Sequence, residues 1–246
     1  SADGLTWTFH LRDARWSDGV PITADDFVFS LRRIMTPGEA SEYAYLLYFI
    51  KNAQPVNAGR MPVTELGVRA INPRTLEIRL EHPAPYLLEV ASHTTMMPVP
   101  RHVVERWGNA WVQPEHFVGN GPYRLVSWRL GDRVAIRRNP QYYDNRNICF
   151  DRVEFFPTVD TVSAERRVLN GELDINTNIA SSRIPRLRRG PGAPFVRVHT
   201  YLGIAYYTFN NRVPAFRDRR VRLAINMAID REFIVNHLLR DGRRPA

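Results

Sequence analysis

LTWTFHLRDARWSDGVPITADDFVFSLRRIM, Leu5 to Met35, is the stretch whose reading decides the fold. Leu5 to Leu11 reads as a strand and Ser17-Asp18-Gly19 as a turn. Pro21-Ile22-Thr23 then leads into a helix. Thr23 carries the short hydroxyl side chain that accepts from a free backbone N–H at a helix start. Asp26, three residues on, is placed to complete a capping box. Phe27, Val28, Leu31, Ile34 and Met35 share one helical face. Pro37-Gly38 stops the helix.

Outward from that block, the aromatic run Tyr43 to Ile50 predicts a helix, and Asn57 to Pro62 an exposed loop. Val68 to Ile71 and Thr75 to Leu80 predict two strands joined through Asn72-Pro73-Arg74. Leu76, Ile78 and Leu80 alternate with Thr75, Glu77 and Arg79, so one face is buried and the other wet. Short helices are expected over Tyr86–Ala91 and His102–Trp107. Beyond them come a strand from Tyr123, a turn at Gly131-Asp132, a strand through Arg138 and another over Arg152–Phe156. Thr161 to Leu169 reads as a helix with Gly171 just past its end. Leu173–Asn176, Phe195–Tyr201 and Ile204–Phe209 read as strands. Asp218 is placed to cap a helix through Ile229, and Asp230 one over Arg231–Leu239. Strands and helices interleave without a strict βαβ repeat, which argues for a mixed α/β fold with more than one sheet.

Composition bounds the function. The chain has 246 residues, 44% hydrophobic, with a net charge of +9 and a pI near 10.2. It can bury a core, and no apolar run is long enough to span a bilayer. Lys51 is the only lysine, a skew that reflects genome composition more than a selected electrostatic face. The arginines are scattered, apart from Arg183 to Arg189, and no RNP, KH, zinc-finger or helix-turn-helix pattern accompanies them. A basic nucleic-acid or membrane-surface module stays as the rival of another class, recognisable by steep salt dependence. Cys149 is alone and reads as a buried, inert thiol. Ser1 shows neither an initiator Met nor a signal-peptide pattern, and both ends look cut.

Chemistry-bearing constellations are few. Asp25 and Asp26 are neighbours on a helix and point about 100° apart, so they suit the helix dipole rather than an acid/base dyad. His102 and Glu105 lie at i, i+3 without further ligands, and read as a surface pair rather than a metal site. No nucleophile elbow, P-loop or dinucleotide fingerprint is present. The expectation is therefore no catalytic residue, no metal, no cofactor and no enzyme. What remains suits a binding cleft. Tyr43, Tyr45, Tyr48 and Phe49 offer flat contact area with hydroxyl handles, against the plainer reading of core packing. Asn176, Asn178, Tyr206 and Tyr207 add neutral donors and acceptors suited to peptide main chain.

The opening block resembles the signature region of the extracytoplasmic solute-binding proteins of peptide ABC transporters. Further motifs follow in register: TELGVRAI at Thr64–Ile71; NGPY at Asn120–Tyr123 with Trp128 and RNPQYY at Arg138–Tyr143; GELD at Gly171–Asp174; FNN at Phe209–Asn211; and FRDRRVR at Phe216–Arg222 with AIDRE at Ala228–Glu232. The resemblance covers essentially the whole chain and leans to the oligopeptide-binding branch. It implies a type II periplasmic-binding-protein-like clamshell of mixed sheets, here a partial chain with the additional small domain. On that template residues 1–100 form most of the additional domain, 101–202 part of the first major lobe, and 203–246 the start of the second. It implies capture of oligopeptides in the periplasm, delivery to an ABC permease, no nucleic acid, and membrane contact only through the permease or a lipid anchor. Dipeptides, murein peptides or metal chelates are the alternative solutes. It implies ligand-region positions at Tyr43, His93, Asn178 and Gly203, where glycine in place of a side chain would leave a gap. It also implies an internal piece of a longer protein, whose isolated form binds peptide poorly and self-associates through exposed apolar surface.

Overall fold

The computed structural model describes residues 1–39, 41–190, 193–199 and 201–245. The chain divides into two compact units, Ser1–Pro157 and Thr158–Ala246. The first unit is built on β1 (Thr6–His10), α1 (Ala24–Met35), α2 (Ala53–Asn57), β2 (Val68–Asn72), β3 (Thr75–Arg79), α3 (Leu87–Ala91) and α4 (Arg101–Trp107). It continues through β4 (Tyr123–Arg129), β5 (Arg133–Arg138) and β6 (Arg152–Phe155). The sequence reading of the opening block is reproduced almost residue for residue.

Two three-stranded antiparallel sheets result, ordered β1-β3-β2 and β4-β5-β6. In the first sheet Trp7 stands opposite Ile78, Phe9 opposite Leu76 and Val68 opposite Ile78, so the apolar alternation of β3 lands on one face. α1 lays its stripe over that face. Leu31 and Met35 are fully buried with Leu47, Ile50, Val56, Ile78 and Leu87, while Phe27 and Ile34 flank the cluster.

The start of α1 is fixed by several bonds converging on one place. The Thr23 amide donates to Asp26 Oδ2 at 2.9 Å, which is the capping box read from the sequence. The indole of Trp16, 1% exposed, donates to the same oxygen at 3.4 Å. The Ala24 amide donates to the Pro73 carbonyl in the β2–β3 turn. Ser30 Oγ donates to the Asp26 carbonyl at 2.7 Å and accepts from the Val99 amide at 2.8 Å. The Trp16–Gly19 turn needs the positive φ of 92° that Gly19 adopts. From that turn Ser17 exchanges hydrogen bonds with Gly119, and Asp18 Oδ2 meets His102 Nε2 at 2.6 Å. His102 thus pairs with Asp18, and Glu105 with Arg101 at 2.7 Å, rather than with each other.

Two expectations in this unit are corrected. Tyr43–Ile50 forms only a 3-10 turn, Ala44–Leu47, because Ile50 turns away to bridge Leu80 and the Lys51 amide donates to the Arg79 carbonyl. Cys149 is exposed, not buried, because it sits in an irregular stretch between a 3-10 turn and β6 with no element over it.

The second unit contains α5 (Thr161–Leu169), α6 (Ile184–Leu187), α7 (Pro214–Arg217), α8 (Arg219–Ala228) and α9 (Arg231–Phe233), the last continued by a π-helical segment Ile234–Leu239. Asp160, Asp218 and Asp230 cap α5, α8 and α9 by accepting from the Ser163, Arg220 and Phe233 amides. The strands expected over Leu173–Asn176 and Ile204–Phe209 are absent, and so is that over Phe195–Tyr201, of which Thr200 lies outside the described residues. A strand is stable only with a ladder partner. Among the described residues of this unit no strand offers one, and Tyr201, Leu202, Ile204, Tyr206 and Tyr207 stand exposed. No helix among the described residues is long and apolar enough to cross a membrane.

Asp26→Ala removes the box and leaves the buried Trp16 indole without its acceptor. A loss of about 2 kcal/mol is expected in urea unfolding followed by tryptophan fluorescence, combining a lost cap with an unsatisfied buried donor.

Candidate functional site

In the first unit the structure brings two of the four expected positions together. Tyr43 precedes the Ala44–Leu47 turn, and its carbonyl accepts from the Leu46 amide at 3.0 Å. Its ring is 50% exposed and lies against the His93 imidazole, with centroids 5.4 Å apart and planes tilted by 59°. His93 caps the 3-10 turn Thr94–Met96. Its Nδ1 accepts from the Thr95 amide at 3.3 Å and lies 3.1 Å from Thr95 Oγ1. In the neutral ring that acceptor role puts the proton on Nε2. The pair therefore presents a phenol, an imidazole N–H and a flat apolar face, a set that can hydrogen-bond neutral main chain and pack against side chains.

The rest of the aromatic run divides by role. Tyr45 faces outward, whereas Tyr48 donates its hydroxyl to Asn57 Oδ1 at 2.8 Å. Phe49 is buried and meets the Tyr86 ring edge-on at 5.8 Å. Core packing and outward contact thus share one short segment.

The other two positions belong to the second unit. The Asn178 amide donates to Asn176 Oδ1 at 3.1 Å, and Asn176 Nδ2 donates to the Asn178 carbonyl at 3.3 Å. The Asn176 side chain is thereby spent on holding local backbone, and Asn178 is left exposed. At Gly203 the expected gap is filled: a Cβ there would overlap the Tyr201 ring. The Gly203 amide donates to the Tyr201 carbonyl at 3.0 Å, which brings that ring back over the glycine.

Sequence reasoning missed one polar cluster in this unit. Glu165 on α5, 6% exposed, takes both guanidinium donors of Arg183 at 2.6 Å each. Nothing in local spacing links residues on either side of an irregular segment, so no pattern could have shown the pair. It closes the stretch that carries Asn176 and Asn178 at both ends. Ser181 Oγ adds a bond to Asp241 Oδ2 at 2.8 Å. The Arg183 hydrogen bonds hold the Glu165 carboxyl below its ordinary value of 4.5, against the opposing pull of burial. Among the described residues no group of three His, Cys, Asp or Glu side chains could hold a metal ion.

The profile of the bacterial extracellular solute-binding proteins, family 5 Middle, matches residues 1–246. The chain is 40% identical over 247 residues to the periplasmic oligopeptide-binding protein OppA of Salmonella typhimurium, covering 99% of this chain and 46% of that protein. It thus spans about half the length of the curated relatives it matches. Among solved structures, the murein tripeptide binding protein MppA of Escherichia coli superposes with a TM-score of 0.93 at 34% identity, over 100% of this chain and 48% of that one. Haemophilus influenzae OppA in complex with RPPGFSPFR gives 0.85 at 30% identity, over 98% and 48%. The fold is that of the type II periplasmic binding proteins, mixed helix and sheet.

A carboxyl whose folded pKa is depressed contributes stability that is present above its unfolded pKa and lost as pH falls through the folded one. Glu165 should therefore stabilise the second unit fully above about pH 4.5 and lose that contribution progressively as pH falls further, through its lowered folded value. Glu165→Gln is expected to lower the melting temperature at pH 7 and to flatten its decline under acid. Calorimetry from pH 7 to pH 3 on both proteins checks this.

Proposed function

Because this chain belongs to the bacterial extracellular solute-binding proteins, family 5, we propose that it forms part of the substrate-binding component of an ABC transporter. In this reading the protein captures oligopeptides in the periplasm and hands them to the permease. It is a receptor and not an enzyme. The observation that carries the reading is the likeness, along nearly the whole chain, to a protein named for periplasmic oligopeptide binding.

The geometry supports it. Tyr43 and His93 offer hydrogen-bonding groups and ring area, which suit a ligand recognised through its main chain. Asn178 and Gly203, in the second unit, are the further positions proposed for ligand contact. Residues 1–100, 101–202 and 203–246 are assigned to the additional domain, the first major lobe and the start of the second. The proposed boundary after residue 100 lies within the first compact unit, where the nearby Val99 amide is held by Ser30. A second reading keeps the fold and changes the solute, because a murein tripeptide binding protein superposes as well as the oligopeptide proteins do.

The test is to purify the protein natively from its own cells, denature it and identify the released small molecules by mass spectrometry. A ladder of short peptides of mixed sequence is expected. A single defined compound would discard the oligopeptide assignment and favour the second reading. With a bound peptide in hand, Tyr43→Ala should weaken capture about tenfold in calorimetric titration, or ~1.4 kcal/mol.

A further inference from the structure

The first unit holds a cavity of about 280 Å³ that shares no residue with the Tyr43–His93 pair. It is lined from α1, the 3-10 turn Val63–Glu65, β2 and β3. Backbone forms part of its wall. The Gly67 amide donates to the Lys51 carbonyl, the Arg79 amide to the Gly67 carbonyl and the Lys51 amide to the Arg79 carbonyl, at 2.8, 2.7 and 2.8 Å. A Cβ on Gly67 would stand 2.7 Å from Lys51 Cβ and 2.8 Å from the Arg79 carbonyl oxygen, so this crossing of three segments requires glycine.

The lining is charged and unbalanced. Arg32, Lys51, Arg69 and Arg79 face only Glu65 and Glu77. Glu77 is already engaged, accepting from Arg69 Nε at 2.8 Å and Arg79 Nε at 2.9 Å. Arg32 donates one Nη2 bond to the Thr64 carbonyl at 3.3 Å, but its Nε is buried with no hydrogen-bond partner. A guanidinium held through Nη2 by one long hydrogen bond keeps Nη donors to spare, and an anion is the acceptor that suits them best. Lys51 forms no ion pair among the described residues and stands exposed at the rim.

We propose that this cavity binds a small oxyanion of the phosphate class. Arg32 and Lys51 supply the direct donors, and the Arg69–Glu77–Arg79 ladder supplies a fixed positive wall. Guanidinium and ammonium groups together are the donor set that recognises such anions. The site is independent of the peptide reading, since it uses none of the residues assigned to that ligand.

Inorganic phosphate titrated into the full 246-residue chain at constant ionic strength, with chloride as the balancing ion, tests it. Backbone amide NMR signals of Glu65, Leu66, Gly67 and Val68 report on the site. Saturable shifts confined to signals around the cavity are expected. Lys51→Gln, at an exposed position that leaves the fold intact, should weaken the apparent affinity about tenfold. Arg32→Lys, which keeps the charge but loses the fork, should weaken it as well. Shifts that chloride reproduces, that fail to saturate, or that persist unchanged in Lys51→Gln would mean an adventitious ion only and overturn the proposal.

Discussion

Asp26 is a carboxylate taken almost wholly out of water, and one of its oxygens collects the Trp16 indole and the Thr23 amide. A buried charge is tolerable only where donors and a favourable dipole surround it, and the first turn of α1 supplies both. Several segments of the first unit are referenced to that point. Trp16 fixes the turn whose next residues reach Gly119 and His102. The helix start is bonded to the β2–β3 turn, and its carbonyl at Asp26 passes through Ser30 to Val99. Loops far apart in sequence thus take their positions from one carboxylate. The apolar stripe of α1 can meet β2 and β3 only in the rotation that this joint allows.

Legibility in the sequence followed the range of the forces involved. The cap at Thr23 and Asp26, the apolar period of α1 and the alternation of β3 are decided within a few residues, and each stands where the pattern put it. The Tyr43 run was less legible because a non-local bridge from Ile50 to Leu80 cut its helix short. Three segments of the second unit have strand composition but no strand among their described residues, since β structure depends on a partner that local pattern cannot supply. For the candidate site, the residue types at Tyr43 and Asn178 were visible, but the tilted contact between the Tyr43 and His93 rings was not. Neither was the Glu165–Arg183 pair, because both depend on chain geometry between distant positions.

Many of the arginines are paired with acidic side chains. Arg69 and Arg79 share Glu77, Arg133 and Arg152 share Glu154, Arg167 holds Glu172, and Arg220 holds Asp218. Most of these arginines are well exposed, so each pair adds little stability. Their effect is to offset part of the positive charge locally. Glu165–Arg183 differs in kind, because its carboxylate is buried and the fork is bidentate.

The order β1-β3-β2 carries a consequence for how the chain is made. β1 leaves the ribosome before β2 and β3, yet every one of its ladder bonds is to β3, with Thr6 opposite Arg79. At about 5–20 residues per second, synthesis leaves that strand without its partner for several seconds. During that interval Trp7 and Phe9 are an unpaired apolar edge. The β2–β3 hairpin is local and closes within microseconds of emerging. Assembly of the first unit therefore runs backward along the sequence, the oldest strand docking last onto a hairpin made after it.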